Sequence, residues 1–155
     1  MRRSVPAWHL RRARLEDAAE IARLLTELGY PIDAGTILPR LQSLLVHPDH
    51  LVTVAAGPND QLSGVVMAEH RVLLLYGPQV EIMGLSVGSD VRRMGVGRAL
   101  VKAVEAWARQ LGSSKIVVRS NVVRSESHPF YEKIGYKRRK TQHVYDRSAD
   151  KHACT

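Results

Sequence analysis

Cysteine is nearly absent from this chain: the only one is Cys154, next to the last residue. A single thiol closes no internal disulfide and builds no thiolate zinc site, which fits a reducing compartment. Phenylalanine is as scarce, with Phe130 alone, so core filling must lean on Leu, Val, Ile and Ala. No apolar run approaches the roughly 20 residues that a bilayer-crossing helix needs. The basic opening MRRSVPAWHLRRARLED leads into no apolar stretch and does not read as a secretory signal. We find no internal repeat, low-complexity tract or domain linker. These gaps lead us to expect a soluble cytoplasmic protein with no membrane partner and no metal.

The 155 residues suit one compact domain, which we expect over 1–146, with 147–155 as a polar tail. Hydrophobic residues make up 45% and charged residues 25%, a globular mix. The net charge of +8 allows nucleic acid, an anionic surface or an anionic small ligand as partner, or only a solubilising surface.

Along the chain, WHLRRA at 8–13 alternates weakly and can be a first strand. Residues 15–28 carry Ala18, Ile21, Leu25 and Leu28 at helical spacing, and Gly29 and Pro31 end that helix. A second helix is expected over 37–46, capped by Thr36, with Pro39 in its first turn. LVTVAA at 51–56 reads as a strand, 57–60 as a turn, and 62–75 as a long strand with a bulge near Gly64. QVEIMGLSV at 79–87 is a third strand candidate. A helix follows the Gly- and Arg-rich stretch, with Val96, Leu100, Val104, Trp107 and Leu111 on one face and Gly112 closing it. A short strand at 116–118, a short helix at 129–134 and strands from Tyr136 and over 142–145 complete the pattern.

Residues 79–118 form a strand, glycine-rich turn, helix and strand, a βαβ unit whose two strands should run parallel. The turn reads Arg92-Arg93-Met94-Gly95-Val96-Gly97-Arg98. Free backbone N–H groups and the positive end of a helix dipole make such a turn a site for phosphate. It is not a Walker loop, since no Lys-Ser/Thr pair follows the glycines. It is not the dinucleotide fingerprint either, because Leu100 stands where a third small residue would be needed.

The turn resembles the signature Gln/Arg-x-x-Gly-x-Gly/Ala of the GNAT superfamily of N-acetyltransferases, matched at Arg92, Gly95 and Gly97. A second family element, Phe-Tyr-x-x-x-Gly-Tyr/Phe, is matched from Phe130 to Tyr136, about 35 residues on. The strand Ile82-Met83-Gly84-Leu85-Ser86-Val87 is similar to the family's strand before the loop. The resemblance implies an α/β (α+β) fold: a mixed, mostly antiparallel sheet of about six to seven strands flanked by about four helices. It implies acetyl-CoA as cosubstrate. Arg92, Arg93, Met94, Gly95, Val96, Gly97 and Arg98 would hold the pyrophosphate. Main-chain groups of Leu85, Ser86 and Val87 would pair with the pantetheine arm, and Arg124 would contact a CoA phosphate or else be a surface Arg. The strands after Val87 and before Ser120 would splay to admit the arm.

An amine with a pKa of about 10 must lose a proton before it attacks, and a carboxylate can take it. Glu81 stands where several family members carry such a base, and Tyr131 would protonate the leaving thiolate. A main-chain N–H near Leu85 would stabilise the oxyanion. Each has a plainer reading. Simple alternation puts Glu81 on one face with Met83 and Leu85, where a solvent-facing or salt-bridged strand Glu is the plain alternative. For Tyr131 the alternative is a packing aromatic, and His128, which could relay protons, reads better as a local cap beside Pro129.

The reading is therefore an N-acetyltransferase acting on a primary amine of a small molecule or peptide, with a homodimer as one option. The alternatives are a non-catalytic acyl-CoA-binding module and an acetyltransferase for a nucleic-acid-linked amine. Aminoglycosides are polycations, which a basic protein disfavours unless its cleft is acidic. The run Lys137-Arg138-Arg139-Lys140 suits nucleic acid or a solvated edge equally.

Overall fold

The computed structural model describes residues 8–92, 94–120 and 127–150. The chain divides after Arg119 into two compact units. The first holds a five-stranded sheet in the order β1-β2-β3-β4-β5. Its strands are β1 (His9–Arg12), β2 (His50–Ala56), β3 (Leu62–Leu73), β4 (Gly77–Val87) and β5 (Ile116–Val118). β1 to β4 pair antiparallel, and β5 joins β4 in parallel, as the βαβ pattern requires. Three helices belong to this unit: α1 (Ala18–Glu27), α2 (Ala34–Leu45) and α3 (Val96–Gln110). The second unit holds α4 (Ser127–Lys133). No helix among the described residues is long and apolar enough to cross a membrane.

Five strands stand where six to seven were expected. Residues 136–150 carry neither strand nor helix, although strands were expected from Tyr136 and over 142–145. Four consecutive cations, Lys137 to Lys140, leave no alternate face to bury there, and Val144 and Tyr145 lie exposed.

The sheet has two covered faces. On one, Ile21 and Leu24 of α1 and Ile37 and Leu41 of α2 pack with Val52, Val54 and Val65. On the other lies α3, whose Val96, Leu100, Val101, Val104 and Ala108 are buried. Ala108 replaces the expected Leu111, which is half in water, because α3 ends at Gln110 before Leu111 can turn inward. The approach of α3 is close at Gly64. A Cβ there would meet Leu100 Cδ1 and Val96 Cγ1 at 2.9 Å and the Ser86 carbonyl at 3.0 Å.

α1 begins later than its periodicity suggests. Residues Leu15–Asp17 form a 3-10 turn, in which the Asp17 carboxylate accepts the Arg14 N–H at 2.8 Å. Asp17 is buried and meets Arg11 through two hydrogen bonds of 2.7 and 2.8 Å, the pairing a buried charge requires. α1 ends where Gly29 N–H reaches the Thr26 carbonyl and Tyr30 N–H the Leu25 carbonyl, a Schellman closure. α2 is capped by Asp33, not Thr36: Asp33 Oδ1 accepts the Thr36 N–H at 2.7 Å. That bond holds the Asp33 carboxyl below its ordinary range. Pro39 consequently falls in the second turn of α2.

Two bulges break the regular ladder. Opposite Ala55 and Ala56, Ser63 is the extra residue, beside Gly64 where a bulge was expected. α1 holds the strand there: Glu20 accepts the Leu62 N–H at 2.9 Å, and Arg23 donates to the Leu62 carbonyl at 2.8 Å. The second bulge lies in β4. Met67 faces Gly84 and Ala68 faces Ile82, so Met83 has no partner on β3.

Candidate active site

The glycine-rich turn stands at the start of α3. Gly95 is the N-cap, at φ 81 and ψ 5, a left-handed conformation that glycine takes without steric cost. Among the described residues no side chain caps this end, and the first helical bond runs from Ala99 N–H to the Gly95 carbonyl at 3.0 Å. The N–H groups of Val96, Gly97 and Arg98 therefore point out of the helix end without a helical acceptor. Val96 anchors the turn in the core, while Arg92, Met94 and Arg98 are exposed. A Cβ built on Gly95 would meet nothing within 4 Å, so the space before these donors is open. Donors, dipole and cations together fit a pyrophosphate. Arg93 and Arg124 lie outside the described residues.

The strand leading into this turn has an open edge. β4 pairs with β5 only at Val80, Glu81 and Ile82. Beyond Ile82, β4 pairs with β3 alone among the described residues: Leu85 with Val66, Ser86 with Val65, Val87 with Gly64. Along a strand, alternate residues direct N–H and C=O to opposite neighbours. Half of the main-chain groups from 83 to 87 thus face the open side, where an extended ligand can add as a strand. Parting of the two strands was expected near Val87 and Ser120, and it begins earlier, at Ile82. Ser86 itself is committed: its buried hydroxyl donates to the Leu24 carbonyl at 2.9 Å and ties β4 to α1.

The bulge at Met83 corrects the alternation assumed for Glu81. One inserted residue shifts the phase of everything after it. Glu81 stands opposite Glu69, on the face of Met67 and Val65 that α1 and α2 cover. Gly84 and Ser86 share that face by the same register, whereas Leu85 faces α3 with Val66 and Gly64.

Glu81 is only 1% exposed. Arg119 Nε donates to its Oε1 at 2.7 Å, and Arg71 Nη1 to its Oε2 at 3.4 Å. Each oxygen keeps a further lone pair with which it could accept from a water. Beside it Gln79 is buried, and its Oε1 has no hydrogen-bond partner among the described residues. The sequence reading missed Arg71, Arg119 and Gln79. The signal was there in part: Gln79 and Glu81 alternate with Val80 and Ile82, which marks buried polar groups on a central strand. Folding the hairpin back would have set Arg71 beside them.

Tyr131 lies on α4 in the second unit, half-buried. Its ring meets Phe130 edge-on at 5.1 Å and Tyr136 at 6.0 Å. Its carbonyl accepts the Tyr136 N–H at 2.9 Å, closing the helix at Gly135. His128 is half-buried near the start of the same helix.

The comparison with known proteins fits this arrangement. Residues 15–136 match the model of the acetyltransferase (GNAT) family. An N-acetyltransferase of Bacillus subtilis, YhdJ, is 28% identical over 122 residues, covering 78% of this chain and 85% of its own. An aminoglycoside N(6')-acetyltransferase type 1 of Stenotrophomonas maltophilia is 29% identical over 131 residues, covering 82% and 84%. Among solved structures, the aminoglycoside N-acetyltransferase AAC(6')-Iy in complex with CoA superposes with a TM-score of 0.79 at 18% identity, over 91% of this chain and 95% of that one. The family match spans most of the chain, and the chain belongs to the GNAT family of N-acetyltransferases.

Proposed function

We propose that the chain transfers an acetyl group from acetyl-CoA to a primary amine of a small molecule or peptide, by direct attack of the amine. The observation that carries this reading is the β4 edge, unpaired among the described residues, that ends at the α3 amides without a helical acceptor. An extended arm with a pyrophosphate at one end fits that pair of features. Main-chain groups of Leu85, Ser86 and Val87 would hold the arm, and the amides and cations from Arg92 to Arg98, with Arg124, the phosphates. Bound acetyl-CoA supplies an activated acyl group. The chain's own work is to align it, to take a proton from the amine and to return one to the departing sulfur.

Glu81, directly or through one water, is the proposed acceptor of the amine proton, and the Tyr131 hydroxyl the proposed donor to sulfur. An N–H of the strand near Leu85 would face the developing oxyanion. A second reading of Glu81 has its own support. Both its oxygens hold arginines, which supports a role in positioning Arg71 and Arg119. An aminoglycoside-acetylating relative and the net charge of +8 pull the acceptor in opposite directions, and the reading stays at the level of a primary amine.

Calorimetry with acetyl-CoA, followed by a thiol-release assay over a panel of amines, tests this. Binding followed by turnover on at least one amine is expected. Binding with no turnover on any amine or amine-bearing RNA would make the chain an acyl-CoA sensor. Tyr131→Phe should lower kcat by about 100-fold with CoA affinity little changed. Equal turnover would leave Tyr131 a packing residue.

A further inference from the structure

The β3–β4 hairpin reaches beyond the rest of its sheet. β2 follows β3 only as far as the pair His50 and Glu69, and β5 meets β4 only from Val80 on. Arg71, Val72 and Leu73 pair with Gln79, Pro78 and Gly77, and with no other strand among the described residues. A two-stranded finger results, and its tip reads Val72-Leu73-Leu74-Leu75-Tyr76. Val72 is 73% exposed, Leu74 107% and Leu75 80%. A run of exposed apolar side chains on a projecting ribbon costs solubility and contributes nothing to the core, so it calls for a use.

The tip itself carries no acid, and the carboxylates at its base are engaged, Asp49 at 3.3 Å from His70 Nδ1 and Glu81 with Arg71 and Arg119. No acid occurs from 70 to 80 or from 109 to 119. Lys115 stands with its Nζ 4.7 Å from the Tyr76 ring centre. Its carbonyl accepts the Val80 N–H at 2.9 Å, which fixes the α3–β5 loop beside the base of the finger. Arg109 and the partly exposed Leu111 sit at the end of α3, where that loop begins.

We propose that this finger docks the enzyme on an anionic lipid surface. Val72, Leu74 and Leu75 enter the interface, Tyr76 sits at headgroup depth, and Lys115 and Arg109 face lipid phosphates. A second copy of the chain fits less well. A stable dimer takes about 20–30 residues a side, and the finger presents about five. Each copy also carries +8, so two basic tips repel. A bilayer needs no shape complementarity and brings the opposite charge. The glycine-rich turn follows the far end of the 11-residue β4, roughly 30–35 Å away at the rise of a strand. Docking of the tip therefore leaves the glycine-rich turn open to water, while Glu81 and Arg71 lie at the base of the finger. The contact is peripheral, with no segment crossing the bilayer.

The test is co-sedimentation of the full chain with phosphatidylcholine vesicles, with and without about a third phosphatidylserine. Binding is expected to the anionic vesicles only, weakening as salt rises. Leu74→Ser with Leu75→Ser should lower it tenfold or more while acetyl-CoA affinity, read by calorimetry, stays unchanged. Lys115→Gln should lower it by a smaller factor. Equal binding to neutral vesicles, no binding to either, or no effect of the double serine variant would each overturn the proposal. So would a dimer in solution that the double variant converts to monomer, since a second copy would then be the occupant.

Discussion

At Gly95 the backbone holds φ 81 in front of the donors of α3, with open space where a side chain would begin. Gly95→Val imposes about 1–2 kcal/mol of backbone strain and puts a branched group on the path to those amides. CoA affinity by calorimetry should fall tenfold or more; an unchanged value would move the pyrophosphate site elsewhere. Glu81 poses the sharper question at this scale. If it accepts the amine proton, Glu81→Gln should cost most at low pH, where free amine is scarce. The loss should shrink as pH approaches the amine's own pKa. If it positions Arg71 and Arg119, the loss should be uniform across pH and accompanied by a lower Tm, because two guanidinium groups lose their partner. A rate profile and a melting curve on the same variant separate the two. The sequence made Gly95 and Glu81 legible, since a positive-φ glycine and a lone acid on an apolar strand both announce themselves. It hid Arg71 and Arg119, whose meeting with Glu81 depends on hairpin register.

Helix and strand positions followed from periodicity, and the misjudged ends have local causes. Asp33 won the cap of α2 because its short carboxylate reaches the Thr36 N–H. The turn at Leu15–Asp17 delayed α1 because Asp17 is held by Arg11. The strands expected after Tyr136 failed for want of an apolar face. The contact of α3 with the sheet was not legible, as nothing in the sequence says that Gly64 lies under Leu100. Gly64→Ala would push a methyl within 2.9 Å of Leu100 and Val96 and 3.0 Å of the Ser86 carbonyl. We expect a loss of about 1–3 kcal/mol by denaturant unfolding. Weaker CoA binding should follow, because α3 must shift at the end that carries its free amides. Unchanged stability would mean that the two layers have slack.

For the whole molecule, acid is the condition that its ion pairs make most consequential. Burial alone would push Asp17 up, but its hydrogen bonds from Arg11 and the Arg14 amide, with the Arg11 charge, hold it below the ordinary carboxylate range. Glu20 is lowered chiefly by its hydrogen bond from Arg23. A carboxyl lowered in the folded state binds fewer protons there than when unfolded. Its contribution is complete above the ordinary value near 4 and is lost as pH falls from there through the folded value. Tm should therefore hold from neutrality to about pH 5 and drop below about pH 4. Asp17→Asn should cost up to about 3 kcal/mol at pH 7, because the buried Arg11 loses its close carboxylate partner and keeps only the longer 3.3 Å pair with the exposed Asp60. That gap should narrow toward pH 2, where the native carboxyl is protonated as well; a constant gap would place the effect in packing rather than charge.

The single unpaired residue Met83 has a further consequence, best stated as parity. Counted from Gln79, the polar residues of β4 fall at odd positions up to Glu81 and at an even one at Ser86; the apolar residues do the reverse, at Val80 and Ile82, then at Leu85 and Val87. An unbroken strand would set Ser86 against α3 and turn Leu85 and Val87 toward the Glu81 side. The bulge switches odd for even midway, so that both halves present like to like. Deleting Met83 would remove the bulge and leave Gly84 directly after Ile82, with Leu85, Ser86 and Val87 still on the faces they occupy now; it is flattening the bulge with Met83 kept in the ladder that would turn half the strand inside out.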